Sequence, residues 1–195
     1  VLVSANSGST WTSLNNGLGT LGINRLLVST TADTANSLLL AATSNGQLFR
    51  STDDGMHWLS ATAGFRATDI RSLLVNASEA DQGRTRIFAG TSVQGVQVST
   101  DKGQSWRPAN LGIQNSLVFA LAAIGTDVFA ATSQGVFRTT DDGAHWVSTT
   151  PEWPIRDSRT TLSVGSKLFV GTFGGGIYVS SDNAKTWSTA NSGLT

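Results

Sequence analysis

One eight-residue box recurs five times along the chain and limits what it can fold into. Its clearest copies are Ser51-Thr52-Asp53-Asp54-Gly55-Met56-His57-Trp58, Ser99-Thr100-Asp101-Lys102-Gly103-Gln104-Ser105-Trp106 and Thr139-Thr140-Asp141-Asp142-Gly143-Ala144-His145-Trp146. Two looser copies frame them. The box ending at Trp11 carries Asn6 in place of the aspartate, and the box built on Asp182 and ending at Trp187 carries Ala184 in place of the glycine. A short carboxylate such as Asp53 accepts hydrogen bonds from backbone N–H groups just downstream and closes a tight turn. Gly55, Gly103 and Gly143 supply a positive φ at no steric cost. The tryptophan then begins a strand and brings a large apolar surface with one N–H donor. Each box therefore reads as a hairpin turn that ends in a packing anchor. Ala184 must either hold a positive φ or change the turn.

The box tryptophans fall at 11, 58, 106, 146 and 187, so the repeat is 40 to 48 residues long. A propeller blade of four strands runs about 40–50 residues. A second signature precedes each complete box: Leu38-Leu39-Leu40-Ala41-Ala42-Thr43, Arg86-Ile87-Phe88-Ala89-Gly90-Thr91, Asp127-Val128-Phe129-Ala130-Ala131-Thr132 and Lys167-Leu168-Phe169-Val170-Gly171-Thr172. Short apolar runs bounded by turn residues read as strands buried on both faces. We letter the strands of one repeat A to D: A precedes the apolar run (23–29, 70–76, 118–124 and 161–165), B is that run, C enters the box and D leaves it. The chain then holds a half repeat and four complete repeats, eighteen strands in all. The fold expected is all-β, a propeller of four-stranded antiparallel blades, with a half blade at 1–14 and blades at 15–62, 63–109, 110–150 and 151–195. The first blade lacks strands A and B, and Asn191-Ser192-Gly193-Leu194 repeats the connector that elsewhere leads into a new strand A. The expectation is a mature or excised segment of a larger propeller. Its missing blades come from the same longer chain or from a self-associated copy, because open blade edges expose unpaired backbone.

Composition excludes several classes of function. Lys plus Arg equals Asp plus Glu at 13 each, so no electrostatic case arises for nucleic acid or an anionic membrane. No apolar run approaches the roughly 20 residues of a membrane-spanning helix. There is no cysteine, which rules out disulfides, thiolate catalysis and cysteine zinc sites. Calcium takes about six to eight oxygen ligands, whereas the richest boxes hold two acids each, so neither a metal nor a cofactor is expected.

The box resembles the Asp-box, or BNR repeat, found in sialidases, xyloglucanase-type glycoside hydrolases, sortilin-type receptors and photosystem II assembly factor-like proteins. That resemblance implies a structural turn on the propeller rim, away from any active site, and so speaks to fold more than to function. It also implies that ligands bind the opposite face, built from D–A connectors and B–C turns. Sialidases use three arginines and a Tyr–Glu pair, but this chain has one tyrosine, Tyr178, and two glutamates, Glu79 and Glu152. Xyloglucanase-type enzymes use two carboxylates, for which Asp69, Glu152 and Asp157 are the candidates here.

His57 and His145 occupy equivalent box positions, which repeat position alone explains. One tryptophan lies outside the boxes, in Pro151-Glu152-Trp153-Pro154-Ile155-Arg156-Asp157. An aromatic beside Arg156 and Asp157 suits a platform for a sugar ring or a partner side chain, and it equally suits a cover for the core between blades. Phe65, Arg66 and Phe173 fall on the same expected face. The reading adopted is a non-enzymatic, extracytoplasmic binding or assembly scaffold with a protein or carbohydrate partner. It most resembles the photosystem II assembly factor-like group. The alternative is part of a xyloglucanase-type hydrolase or a carbohydrate-binding propeller.

Overall fold

In a computed structural model, residues 1–19, 22–29, 37–65, 69–77, 85–113, 117–152 and 157–194 are described. The half repeat forms β1 (Leu2–Val3) and β2 (Thr12–Ser13), an antiparallel pair. The next repeat forms β3 (Ile23–Ser29), β4 (Leu38–Thr43), β5 (Leu48–Ser51) and β6 (Leu59–Ser60). Then come β7 (Ile70–Ala77), β8 (Thr85–Thr91), β9 (Val96–Ser99) and β10 (Arg107–Pro108), followed by β11 (Val118–Ile124), β12 (Asp127–Thr132), β13 (Gly135–Thr139) and β14 (Val147–Ser148). The last sheet is β15 (Ser158–Val164), β16 (Lys167–Thr172), β17 (Gly176–Ser180) and β18 (Ser188–Thr189). Each complete repeat is an antiparallel meander in the order A-B-C-D, and the described residues hold no helix. The inner strands β3, β7, β11 and β15 adjoin in chain order, so the blades form an open arc.

The apolar runs are strands B, and β8 and β12 are buried because both faces meet a neighbouring blade. Leu40, Phe88 and Phe129 occupy the same position in successive blades and are all buried. Each points toward the next blade: Leu40 packs with Ile87 and Ala89, Phe88 with Val128 and Ala130, and Phe129 with Leu168 and Val170. The threonine that ends each of these strands donates its hydroxyl across the following turn. Thr43 bonds to Gln47 O, Thr91 to Gly95 O, Thr132 to Gly135 O and Thr172 to Gly176 O, at 2.9–3.0 Å.

Several boundaries differ from expectation: β7 runs one residue further, to Ala77, β8 starts one residue earlier, at Thr85, and β15 ends at Val164. Strand D begins one residue after the box tryptophan, because the tryptophan N–H groups are used elsewhere. Trp58 N–H donates to Asn16 O at 2.8 Å and its indole N–H to Leu14 O at 3.0 Å, both in the connector of the preceding blade. Trp146 repeats the arrangement with Leu111 O and Ala109 O, each at 2.8 Å. Trp106 donates its backbone N–H to Ala63 O at 2.9 Å. The last inner strand starts at Ser158 rather than 161, because Ser158 pairs with Thr172 across an irregularity.

A connector glycine lies beneath each of these tryptophans. A Cβ at Gly17, Gly64 or Gly112 would stand 2.1, 2.3 or 2.2 Å from the carbonyl oxygen of Trp58, Trp106 or Trp146. The inter-blade joint therefore has a backbone donor, a ring and a glycine that lets the ring's backbone close, and at Trp58 and Trp146 the indole N–H adds a second donor.

Loops sort onto two faces, because each passage along a strand reverses direction. On one face Ser37 N–H, leaving the A–B loop, donates to Asp54 of a box, and Arg86 pairs with Asp142 of the next box. On the other face the residue after each strand B bonds to the carbonyl just before strand A: Ser44 to Gly22, Ser92 to Asp69, Ser133 to Leu117 and Phe173 to Asp157.

Gly112→Ala is expected to cost roughly 2–4 kcal/mol, from overpacking plus a left-handed backbone. Gly125→Ala, at φ 59° with nothing within 4 Å of the added methyl, should cost only about 1 kcal/mol. Equal losses in chemical denaturation would show that the close approach beneath Trp146 does not matter.

Candidate functional site

The boxes are built first by a hydroxyl. Ser51 Oγ donates to Asp53 Oδ1 at 2.7 Å and accepts Gly55 N–H at 2.9 Å. The same carboxylate oxygen accepts His57 N–H at 2.9 Å, and its second oxygen meets His57 Nδ1 at 2.6 Å. Ser99 with Asp101, Thr139 with Asp141 and Ser180 with Asp182 repeat this arrangement. In the first box Asn6 Oδ1 accepts Thr10 N–H at 2.8 Å. The seventh residue of each box closes the loop with its side chain: Thr10, His57, Ser105, His145 and Thr186 all bond to the residue at the aspartate position. The signal was in the sequence, because all five can hydrogen-bond from a short or planar side chain.

Two consecutive residues of each turn are left-handed, not the glycine alone. The residue before it has φ of 55–60°: Ser7, Asp54, Lys102, Asp142 and Asn183. Ala184 keeps the turn at φ 64°. Its methyl is buried against Phe129, Leu168 and Val170, which offsets a strain that glycine would avoid.

These bonds stabilise the ionised carboxylates. N–H and hydroxyl donors from His57 and Ser51, with the His57 ring, hold Asp53 down at about 2 from an ordinary 3.8. The Thr186 hydroxyl and N–H, with Ser180, hold Asp182 well below the usual range. Burial pushes Asp101 and Asp141 the other way, but donors from Ser105 and Ser99, and from His145 and Thr139, outweigh it.

The opposite face gathers a different set. Every inner strand carries one extra residue near its start, at Asn24, Arg71, Phe119 and Arg159. Such a bulge re-aims a side chain away from the ladder. The Arg159 guanidinium lies 4.3 Å from the Phe119 ring centroid and 5.3 Å from that of Phe173, and its Nη2 bonds to Asp157 Oδ2 at 2.6 Å. Arg71 Nε bonds to Asp69 Oδ2 at 2.8 Å and to Ser92 Oγ at 3.0 Å. Arg25 reaches across blades to Arg71 O at 2.6 Å. Phe173 is 71% exposed.

Of the residues singled out from sequence, Asp157 and Phe173 come together here. Phe65 sits elsewhere, edge-on to Trp106 with centroids 5.4 Å apart. Trp153, Arg156 and Arg66 lie outside the described residues. Arg71, Phe119 and Arg159 were missed, although Asp-x-Arg at 69–71 and 157–159 placed an acid and a base on one side of a strand end. Among the described residues no group of three or more His, Asp or Glu could hold a metal ion, and no helix is long and apolar enough to cross a membrane.

The sequence matches no family model and no curated protein. The fold matches solved structures. An ancestral GH74 enzyme superposes with TM-score 0.72 at 19% identity, over 100% of this chain and 28% of that one. YCF48 bound to D1 peptide gives 0.63 at 15% identity, over 96% of this chain and 59% of that one. The extracellular domain of a putative hybrid two-component system from B. thetaiotaomicron gives 0.65 at 16% identity, over 91% of this chain and 25% of that one. The chain is thus an all-β propeller segment, shorter than each of these relatives in fold, and identity this low speaks to fold alone.

Asp101→Ala should cost roughly 1–3 kcal/mol, the range for leaving donors unpaired; an unchanged melting temperature would count against the turn's role. The pH dependence follows from the carboxylates. A folded value below the unfolded one contributes stability above the unfolded value and loses it as pH falls through the folded one. Tm should therefore fall from about pH 4 toward about pH 2. Asp53→Asn should flatten that acid limb, and an unaltered limb would contradict the assignment.

Proposed function

We propose that the chain is a non-enzymatic, extracytoplasmic binding scaffold that holds a protein partner on the face of its connectors and B–C turns. The observation that carries this reading is the stack of Phe119, Arg159 and Phe173, with Asp157 beside it. A guanidinium held between aromatic rings presents a planar, pre-ordered surface with unused donors. Exposed Phe173 adds the apolar area typical of a contact centre. Two further observations support a binding role outside the cytoplasm. YCF48 was solved with a bound peptide, and two neighbours in fold are extracellular domains. Trp153, Arg156 and Arg66 belong to the proposed contact set.

A second reading rests on the GH74 neighbours, among them an ancestral enzyme and a xyloglucanase from Xanthomonas campestris. On that reading the same aromatic face stacks sugar rings, and the chain is part of a carbohydrate-binding or hydrolytic propeller.

Peptides selected from a random display library against the wild-type chain distinguish the two. Phe173→Ala and Arg159→Ala should each weaken the selected peptides about tenfold or more, while Tm stays nearly constant for Phe173→Ala. Release of reducing ends from xyloglucan, or peptide binding indifferent to both substitutions, would overturn the proposal.

A further inference from the structure

We infer that the joint between the β3–β6 blade and the β7–β10 blade binds one internal water, held by the Trp106 indole N–H, the Gln97 side-chain carbonyl and the Ala61 main-chain carbonyl. This site is independent of the proposed partner face, since it lies in the core between two blades.

Each joint combines the same positions: the residue after the connector glycine, one residue of strand C, and the box tryptophan. The strand C residue pairs with the residue two places beyond the tryptophan: Phe49 with Ser60, Gln97 with Pro108 and Phe137 with Ser148. The joint of Trp58 therefore brings together Leu18 and Phe49, and that of Trp146 brings together Ile113 and Phe137. At Trp106 the connector residue is Phe65 and the strand C residue is Gln97.

Register places Gln97 in that joint. It pairs with Ala89 of β8, and Ala89 packs in one cluster with Trp106, Leu48 and Ala61. Trp106 stands two residues before Pro108, so its ring and the Gln97 side chain share a face and are diagonal neighbours. The ring that strand C supplies in the other two joints comes here from the connector. Phe65 meets Trp106 edge-on at 5.4 Å, and an amide stands where the strand C ring would be.

The exchange leaves a set of polar groups unpaired in the core. Trp58 and Trp146 donate their indole N–H groups to Leu14 O and Ala109 O, whereas Trp106 Nε1 is buried with no hydrogen-bond partner. The carbonyl that corresponds to Ala109 O is Ala61 O: Ala61 N–H donates to Leu48 O as Ala109 N–H donates to Val96 O. Ala61 is 0% exposed, and among the described residues no donor reaches its carbonyl. Gln97 is 1% exposed and buries its Oε1 without a donor.

Buried groups left in this state are costly, and native structures seldom keep them. One donor and two acceptors are together the complement of a single water. It accepts from Trp106 and donates to Gln97 and Ala61, which gives it about three hydrogen bonds, the number typical of a buried water. No apolar side chain could satisfy the same three groups.

Water–protein NOE and ROE spectra of the nitrogen-15-labelled chain test this. The Trp106 indole proton should show a water cross-peak whose NOE and ROE differ in sign, the mark of a water that tumbles with the protein. The indole protons of Trp58 and Trp146, already bonded to carbonyls, should show none and serve as internal controls. In Gln97→Leu the Trp106 cross-peak should fall to background, because the substitution removes one acceptor and fills the place of the amide. The wild-type spectrum decides by itself if Gln97→Leu does not fold. No cross-peak at Trp106, an equal one at Trp58 and Trp146, or one that survives unchanged in a folded Gln97→Leu would each overturn the inference. So would a crystal structure with Trp106 Nε1 bonded directly to Gln97 or Ala61.

Discussion

The structure depends on how a turn with two left-handed residues is held. Such a turn leaves several backbone N–H groups pointing inward with no ladder partner, and buried donors left unpaired are costly. In every box a Ser or Thr hydroxyl takes one of them and the carboxylate or amide oxygen takes another. The turn is then rigid without contributions from the core. It can deliver its tryptophan to a fixed place, over the connector of the blade before. Blade adhesion thus follows from turn chemistry: the satisfied turn aims the ring, and the ring's donors and the connector glycine set the spacing.

The same logic explains why one box works without its glycine. The left-handed conformation costs an alanine more than a glycine, but Ala184 places its methyl among Phe129, Leu168 and Val170, where burial of the extra carbon compensates. In the boxes of Gly55, Gly103 and Gly143 a Cβ would lie 3.0–3.1 Å from Leu14, Leu40 or Ala109, so a methyl there is tighter than ordinary contact.

The opposite face is built by a second repeated device. One extra residue near the start of each inner strand turns Asn24, Arg71, Phe119 and Arg159 out of the ladder. The core does not constrain these positions, so they differ from blade to blade: one amide, two cations and one ring. The rim repeats because the fold needs it, and the bulges vary because they are free to carry a function.

The sequence alone determined the blades. The box period, the apolar runs and the small residues within them follow from local turn chemistry and from burial on both faces, which act within a few residues. The strand bounds at 23–29 and 118–124 could be read that way. The role of Trp58 as an inter-blade tie, the need for Gly17, Gly64 and Gly112, and the meeting of Phe119, Arg159 and Phe173 were decided only by tertiary structure. Each joins residues from different blades or a backbone to a ring some forty residues away. No local pattern encodes which carbonyl a distant N–H will reach, nor that a bulge will aim Arg159 between two phenylalanines; those depend on how blades stack once the turns are rigid.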